Sequence, residues 1–298
     1  MKKLLALGIV LLMTTTIFGQ SVKVTPTFKK GMVKTYTNMT TITTMDQTVH
    51  INSEQHFSIT KETSQGYELS METTNFSSDA KEDHLASRLV TIGAEILKDT
   101  KILLTLNKDG NILDIINYQE VKDKSLGMAN RLVDELFKVV PDLSNMLKKE
   151  TVVEQVSTTL TKENLINSLT GNTCPLALFG RTIFNGMQDQ YNNNLLDLKR
   201  TWLVNGKKIY ASAKADMSKE EMKAFLISQI EKIAPQQAEM VKENIDMVLS
   251  SGLVKIDVTE KTNFELADDY WVKSMENVLE NEMMGQKSKT LVKIQLKD

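Results

Sequence analysis

The sequence predicts an α+β fold: one curved, mainly antiparallel sheet with helical insertions packed on one face. Three observations predict it. Runs of alternating apolar and polar residues open and close the chain, as half-buried antiparallel strands require. Between them the apolar residues recur three and four apart, the period of a helix. No Pro-, Gly- or Ser-rich linker separates the two kinds of segment, so a single domain is expected over 21–298.

The elements follow in order. Residues 1–20 read as a signal peptide: Lys2 and Lys3 supply a positive start, Leu4 to Met13 is an apolar run, and threonines follow. Cleavage is expected after Gly19 or Gln20. The run is shorter than the roughly 18 apolar residues a membrane helix needs, and no later segment reaches that length. Strands are expected over 21–77. Met32–Met45 is dense in threonine, Val49, Ile51, Phe57 and Ile59 share one parity, and Tyr67, Leu69 and Met71 share another. Over 82–98, Leu85, Leu89, Ile92 and Ile96 fall on one helix face. Asp109-Gly110 between apolar alternations predicts a hairpin over 101–116.

From 119 to 190 the pattern reads as helices, with a break at Asn172-Thr173-Cys174-Pro175. Asn205-Gly206 predicts a type I′ hairpin over 200–215. Ser218-Lys219-Glu220-Glu221 is a capping box that opens helices over 218–252, with Met217 and Met222 placed as a staple and Pro235 as the start of a second helix. Strands return over 253–297, where Val254, Ile256, Val258, Phe264 and Leu266 share even parity. Leu104–Gly110 and Phe264–Tyr270 look alike, each a strand entering an acidic turn, which raises an internal repeat as an expectation.

Composition excludes several function classes. The 36 basic and 38 acidic residues give no nucleic-acid signature. One cysteine excludes an intramolecular disulfide framework and any multi-cysteine metal site. That cysteine, Cys174, is far from the leader, so no lipid anchor is expected and the mature protein should be released, periplasmic or extracellular. His50, Glu54 and His56 share a strand face, but His50 and His56 would lie roughly 20 Å apart along it, too far to share one ion. Cys174 has no sequence-adjacent base and reads as a buried inert thiol. There is no nucleophile elbow, no phosphate-cradling glycine loop and no His-Glu-x-x-His. No catalytic residue, metal ligand or cofactor is therefore assigned.

Some residues resemble a known group. Gly31-Met-Val-Lys-Thr-Tyr36, the Thr- and Met-rich strand after it, Met45-Asp46-Gln47, Gly66-Tyr67 and the Asp109-Gly110 turn resemble a family of exported proteins of Gram-negative bacteria. That family often has Met-Gly-Gln where Asp46 stands here, and Met284-Gly285-Gln286 supplies that form near the end. The resemblance implies export and a strand-and-turn scaffold, and it implies no activity. At fold level the layout is similar to the periplasmic lipoprotein carriers, in which a curved sheet holds acyl chains against covering helices.

Function is then a choice among three classes. The first is a non-enzymatic envelope binding protein holding a hydrophobic small molecule or lipid between sheet and helices. Its apolar lining is expected from Leu132, Leu136, Val139, Leu226, Ile230 and Ile233, with some of the 16 methionines in the wall. The second is an envelope interaction or assembly module that offers strand edges to a protein partner. The third is a hydrolase with carboxylates dispersed over different strands.

Overall fold

The computed structural model describes residues 20–44, 47–79, 92, 100–141, 148–192, 196–215, 217–233, 238–250, 256–283 and 286–297. The leader expected at 1–20 lies outside the described residues except for Gln20. So does the helix expected at 82–98, except for Ile92, which is helical and buried.

Thirteen strands are described: β1 Ser21–Lys23, β2 Val33–Thr43, β3 Thr48–Glu62, β4 Gly66–Ser78, β5 Lys101–Asn107, β6 Ile112–Ile115, β7 Thr182–Phe184, β8 Gln188–Asn192, β9 Asp197–Asn205, β10 Lys208–Lys214, β11 Ile256–Leu266, β12 Val272–Met283 and β13 Gln286–Leu296. The helices are α1 Tyr118–Val139, α2 Lys149–Thr159, α3 Lys162–Leu169, α4 Lys219–Ile233 and α5 Ala238–Ser250, with a 3-10 turn at Pro175–Leu178. Strands β1 and β7 form a small ribbon, and the other eleven form one antiparallel sheet in the order β6-β5-β4-β3-β2-β13-β12-β11-β10-β9-β8. This is the expected α+β architecture. The chain winds outward from β2 to β6 and returns inward from β8 to β13, so its first and last long strands pair at the sheet's centre.

Alternation decides which face is covered. On β9, Leu198, Arg200, Trp202 and Val204 are buried while Lys199, Thr201 and Leu203 are exposed. The buried parity continues through Ile209, Phe264, Met275 and Ile294. The opposite face carries half-exposed ion pairs such as Lys289–Glu280 and Lys293–Glu276, which solvent screens. Helices and the N-terminal segment therefore lie on one face, the inner one.

The sheet curls strongly. Laid flat, the ten steps from β6 to β8 would span roughly 48 Å at about 4.8 Å each. Instead Ile112 of β6 and Gln190 and Asn192 of β8 line a common cleft. Two glycines permit the approach. Gly110 (φ +96°) leaves room for Phe28 and Phe179, whose atoms would lie 3.2–3.3 Å from any added Cβ. Gly180 (φ +73°) lies against Asn111, 2.2 Å from where its Cβ would be.

One end of the inner face is solid. Trp271 is fully buried, packs edge-on against Phe28 and Phe179 at 5.7 and 5.0 Å, and donates its ring N–H to the Thr27 carbonyl. Tyr36 meets Phe57 at 5.5 Å and donates its hydroxyl to the Val272 carbonyl. Leu176, Leu178 and Ile183 complete this core with 0–1% exposure.

Several local expectations need correction. The helical stretch ends at Leu169, not near 190, because the Asn172–Pro175 break ends it; residues 182–184 and 188–192 are strands. Strand β8, Gln-Asp-Gln-Tyr-Asn, turns only Asp189 and Tyr191 inward and so carries no apolar alternation to read. The β9–β10 turn centres on Gly206-Lys207, since Asn205 pairs with Lys208. Only Gly206 has φ above zero, the type II′ pattern rather than I′. The repeat expectation also fails on topology. Residues 107–110 join the two outermost strands of one flank, while 267–270 join β11 and β12, nearer the centre of the other.

Candidate functional site

The helices form a roof that meets the inner face at its two flanks. α1 packs on α2, α2 on α4, and α4 on α5. Lys149–Asp134, Lys223–Asp246 and Lys242–Glu231 tie the helices together. The roof is pinned at both flanks of the sheet. On one side Asn117, just before α1, accepts from the Leu103 amide at 2.9 Å and donates to the Lys101 carbonyl at 2.7 Å. On the other, Phe225 of α4 packs on the cluster of Leu196, Leu198, Ala213, Ala215 and Val258. The start of α4 is a complete capping box: the Glu221 amide donates to Ser218 Oγ at 3.2 Å, and the Ser218 amide to Glu221 Oε2 at 2.7 Å.

Beneath the roof the inner face changes character. Asn38, Thr40, Ile42, Ile51, Ser53, Phe76, Leu279 and Thr290 are half-buried, while Val49, Val258, Thr262, Asn277 and Val292 among them are buried. Two side-chain oxygens in this region, Gln55 Oε1 and Asn281 Oδ1, are buried without a hydrogen-bond partner.

The expected lining residues fall as follows. Leu132 and Leu136 are half-buried on α1, and Leu226 on α4 is 8% exposed. Val139, the last residue of α1, is 43% exposed. Ile230 and Ile233 lie on α4, but their side chains are outside the described residues. The buried residues of α1 are Val121, Ala129 and Val133, a face rotated from the expected stripe. Of the methionines on apolar-looking faces, Met71 packs against the core and Met128 and Met222 are half-buried, while Met39 on the outer face and Met247, 67% exposed, are not in any wall.

A polar chain that sequence reading did not anticipate runs along the inner face from β8 and β9 to β12. Asp189 accepts from Arg200 Nε and Nη2 at 2.8 and 2.7 Å, from Arg181 Nη2 at 2.5 Å and from the Trp202 ring N–H at 3.0 Å. Arg200, 4% exposed, stacks on Tyr191 and Trp202 at 4.4 Å each and donates to Asn172 at 2.6 Å. Asn172 reaches Glu260, which also accepts from Asn277 at 2.5 Å; Asn277 donates in turn to Thr262 at 2.8 Å. Burial raises the Asp189 carboxyl, but the Arg200, Arg181 and Trp202 donors outweigh it and hold it at about 2. Burial pushes the Glu260 carboxyl up, and its amide donors offset this only in part. The only signal in the sequence is an acid and two arginines on strand-length segments, which ordinary surface strands also show.

The chemistry tested earlier finds its place. His56 bonds Thr35 and Thr74 at 3.0 and 2.8 Å, while His50 pairs with Asp79 at 2.7 Å. Among the described residues no three His, Cys, Asp or Glu side chains gather as for a metal. Cys174 is buried, which pushes its thiol up to about 12, so it is inert as a nucleophile. No helix among the described residues is long and apolar enough to cross a membrane.

No family model matches the chain, and no curated protein does. Among solved structures the chain is similar to one described as lipid-protein interactions in lipovitellin, with a TM-score of 0.38 and 10% identity over 91% of this chain. The match takes in 26% of that protein, so this chain spans about a quarter of its length.

Proposed function

We propose that this chain is an exported, non-enzymatic binding protein of the cell envelope, holding a lipid or similar hydrophobic ligand between the inner face and the helical roof. The observation that supports the reading is the contrast along that face. At one end side chains are packed to 0–7% exposure; toward the helices a run of inner-face residues is only half-buried, and the roof is pinned at the flanks. The half-buried set mixes Ile42, Ile51, Phe76 and Leu279 with Asn38, Thr40 and Thr290. That mixture suits a ligand with an apolar body and a polar end. Leu132, Leu136 and Leu226 supply the apolar side from the roof in this reading, with Ile230 and Ile233 as further members. The signal peptide at 1–20, a periplasmic or extracellular destination and kinship with the exported Gram-negative family belong to the same proposal and rest on sequence.

Native mass spectrometry of protein purified from its own envelope should reveal a co-purifying mass. A fluorescent fatty acid should bind saturably to the delipidated protein, and Leu226→Trp should weaken that binding while leaving the unfolding midpoint near the parent's. Absence of saturable binding would end the carrier reading in favour of the interaction module.

A further inference from the structure

The seam where the curled sheet brings its two edges together holds a cleft. Its volume is about 450 Å³, within the range of roughly 300–1,000 Å³ typical of small-molecule sites. Three stretches distant in sequence build it: the β5–β6 turn at Gly110–Ile112, the segment from Asn167 to Arg181, and strands β8 and β9. Leu176 and Phe179 give it an apolar side, Asn111 brings an amide, and Gln190 and Asn192 stand at its rim on the outward parity of β8.

Charge singles out what would fill it. Arg181 and Arg200 line the cleft together and share one carboxylate, Asp189. Arg200 spends its donors on Asp189 and Asn172 and is shielded by Tyr191 and Trp202. Arg181 gives Asp189 a single nitrogen, and its side chain keeps 25% of its exposure. Two guanidinium groups against one carboxylate leave an excess positive charge, and the guanidinium with surface to spare faces an amide-bearing cleft. The Tyr191 hydroxyl, in the same lining, is buried with no hydrogen-bond partner. A second carboxylate beside Arg181 would balance the pair, and a guanidinium edge matches the planar fork of a carboxylate. No lysine lines the cleft and no glycine-rich loop frames it, so it lacks the usual fittings of a polyphosphate site.

We infer that the seam cleft binds a small polar carboxylate, with Arg181 as its anion-binding group, the Asn111 amide and the Tyr191 hydroxyl serving its neutral polar groups and Phe179 its apolar side. The inference is independent of the carrier reading, and neither ligand site needs the other.

Isothermal titration of the full mature chain tests it, with glucuronate and N-acetylglycine as carboxylate probes and glucose and inorganic phosphate as comparators. At least one carboxylate should bind saturably and more tightly than either comparator. Arg181→Gln should weaken it by about tenfold or more, the loss expected for a charge-assisted contact. Because that change touches the Asp189 network, Gln190→Glu serves as the second variant: Gln190 is exposed, so the fold should be indifferent to it. A negative charge at the rim should still weaken the carboxylate by several-fold. The inference is overturned if neither carboxylate saturates by about 10 mM, if a comparator binds as tightly, or if a folded Gln190→Glu protein binds unchanged.

Discussion

The two ends of the inner face use the same sheet in different ways. At the Trp271 end, six aromatic rings from six parts of the chain interlock, and every indole and phenol polar atom there that the packing covers has a carbonyl to bond. Under the helices, threonine, asparagine and serine stand where aromatics stood, and the covering elements hold chiefly to one another and to the flanks. Close packing makes the first end expensive to alter. A roof fastened at its margins lets the second end vary in what it encloses. Folding stability and ligand capacity are thus spatially separated, and substitutions should show it.

The largest effects should come from the packed end and the buried ion network. Trp271→Ala removes a fully buried indole and its hydrogen bond, and should cost about 3–5 kcal/mol in urea unfolding. Asp189→Asn leaves two arginines without their carboxylate and should cost a similar amount, about 3–5 kcal/mol. Asp189 also sets an acid limb. Its folded carboxyl is depressed, so its stabilisation is present above the unfolded value of about 3.9 and is lost as pH falls toward the folded value of about 2. The Asn variant should lose that part of the limb. A smaller effect belongs to the roof: Leu226→Ala should cost about 2 kcal/mol, the low end for a buried leucine. A loss near that of Trp271→Ala would mean that the roof is core and the comparison false.

Smaller still is Ser218→Ala, which removes one half of the capping box and should cost about 0.5–2 kcal/mol, read as a shifted midpoint at unchanged slope. The smallest has the opposite sign. Glu260 is a buried carboxyl with a raised pKa, so its ionisation opposes folding as pH rises through the region above its unfolded value. Glu260→Gln keeps the shape and removes the ionisation, and should leave stability at neutral pH unchanged or higher by up to about 1 kcal/mol. A large loss would show that the Asn277 and Asn172 bonds need the charged form.

Local signals carried most of the sheet into view. Asp109-Gly110 and the odd-parity run of Val49, Ile51, Phe57 and Ile59 are short-range patterns, and they landed on β5–β6 and β3. The Ser218 capping box is likewise a four-residue pattern, and both its bonds are present. What stayed hidden is long-range. Strand β8 is polar because its inward residues serve an ion network, and nothing local distinguishes Asp189 from a solvated acid. The α1 face is set by what it meets, so Val121, Ala129 and Val133 are buried while the more apolar-looking Val139 is left at the helix end. The seam is invisible in sequence, because it depends on curvature summed over eleven strands.

The central pairing of β2 with β13 bears on how the chain acquires its structure. Thr37 and Gln295 face each other across that pair, 258 positions apart. Each half of the meander can zip from local hairpins, but the two halves can join only when the last strand has arrived. Closing so long a loop is entropically costly before any contact rewards it, and sheets dominated by distant pairings fold slowly. Until then the inner edges of both half-sheets stand open to other chains. A chain made amino-terminus first presents one edge of β2 unpaired until β13 arrives, so this topology leaves an edge open to other chains through most of the protein's synthesis.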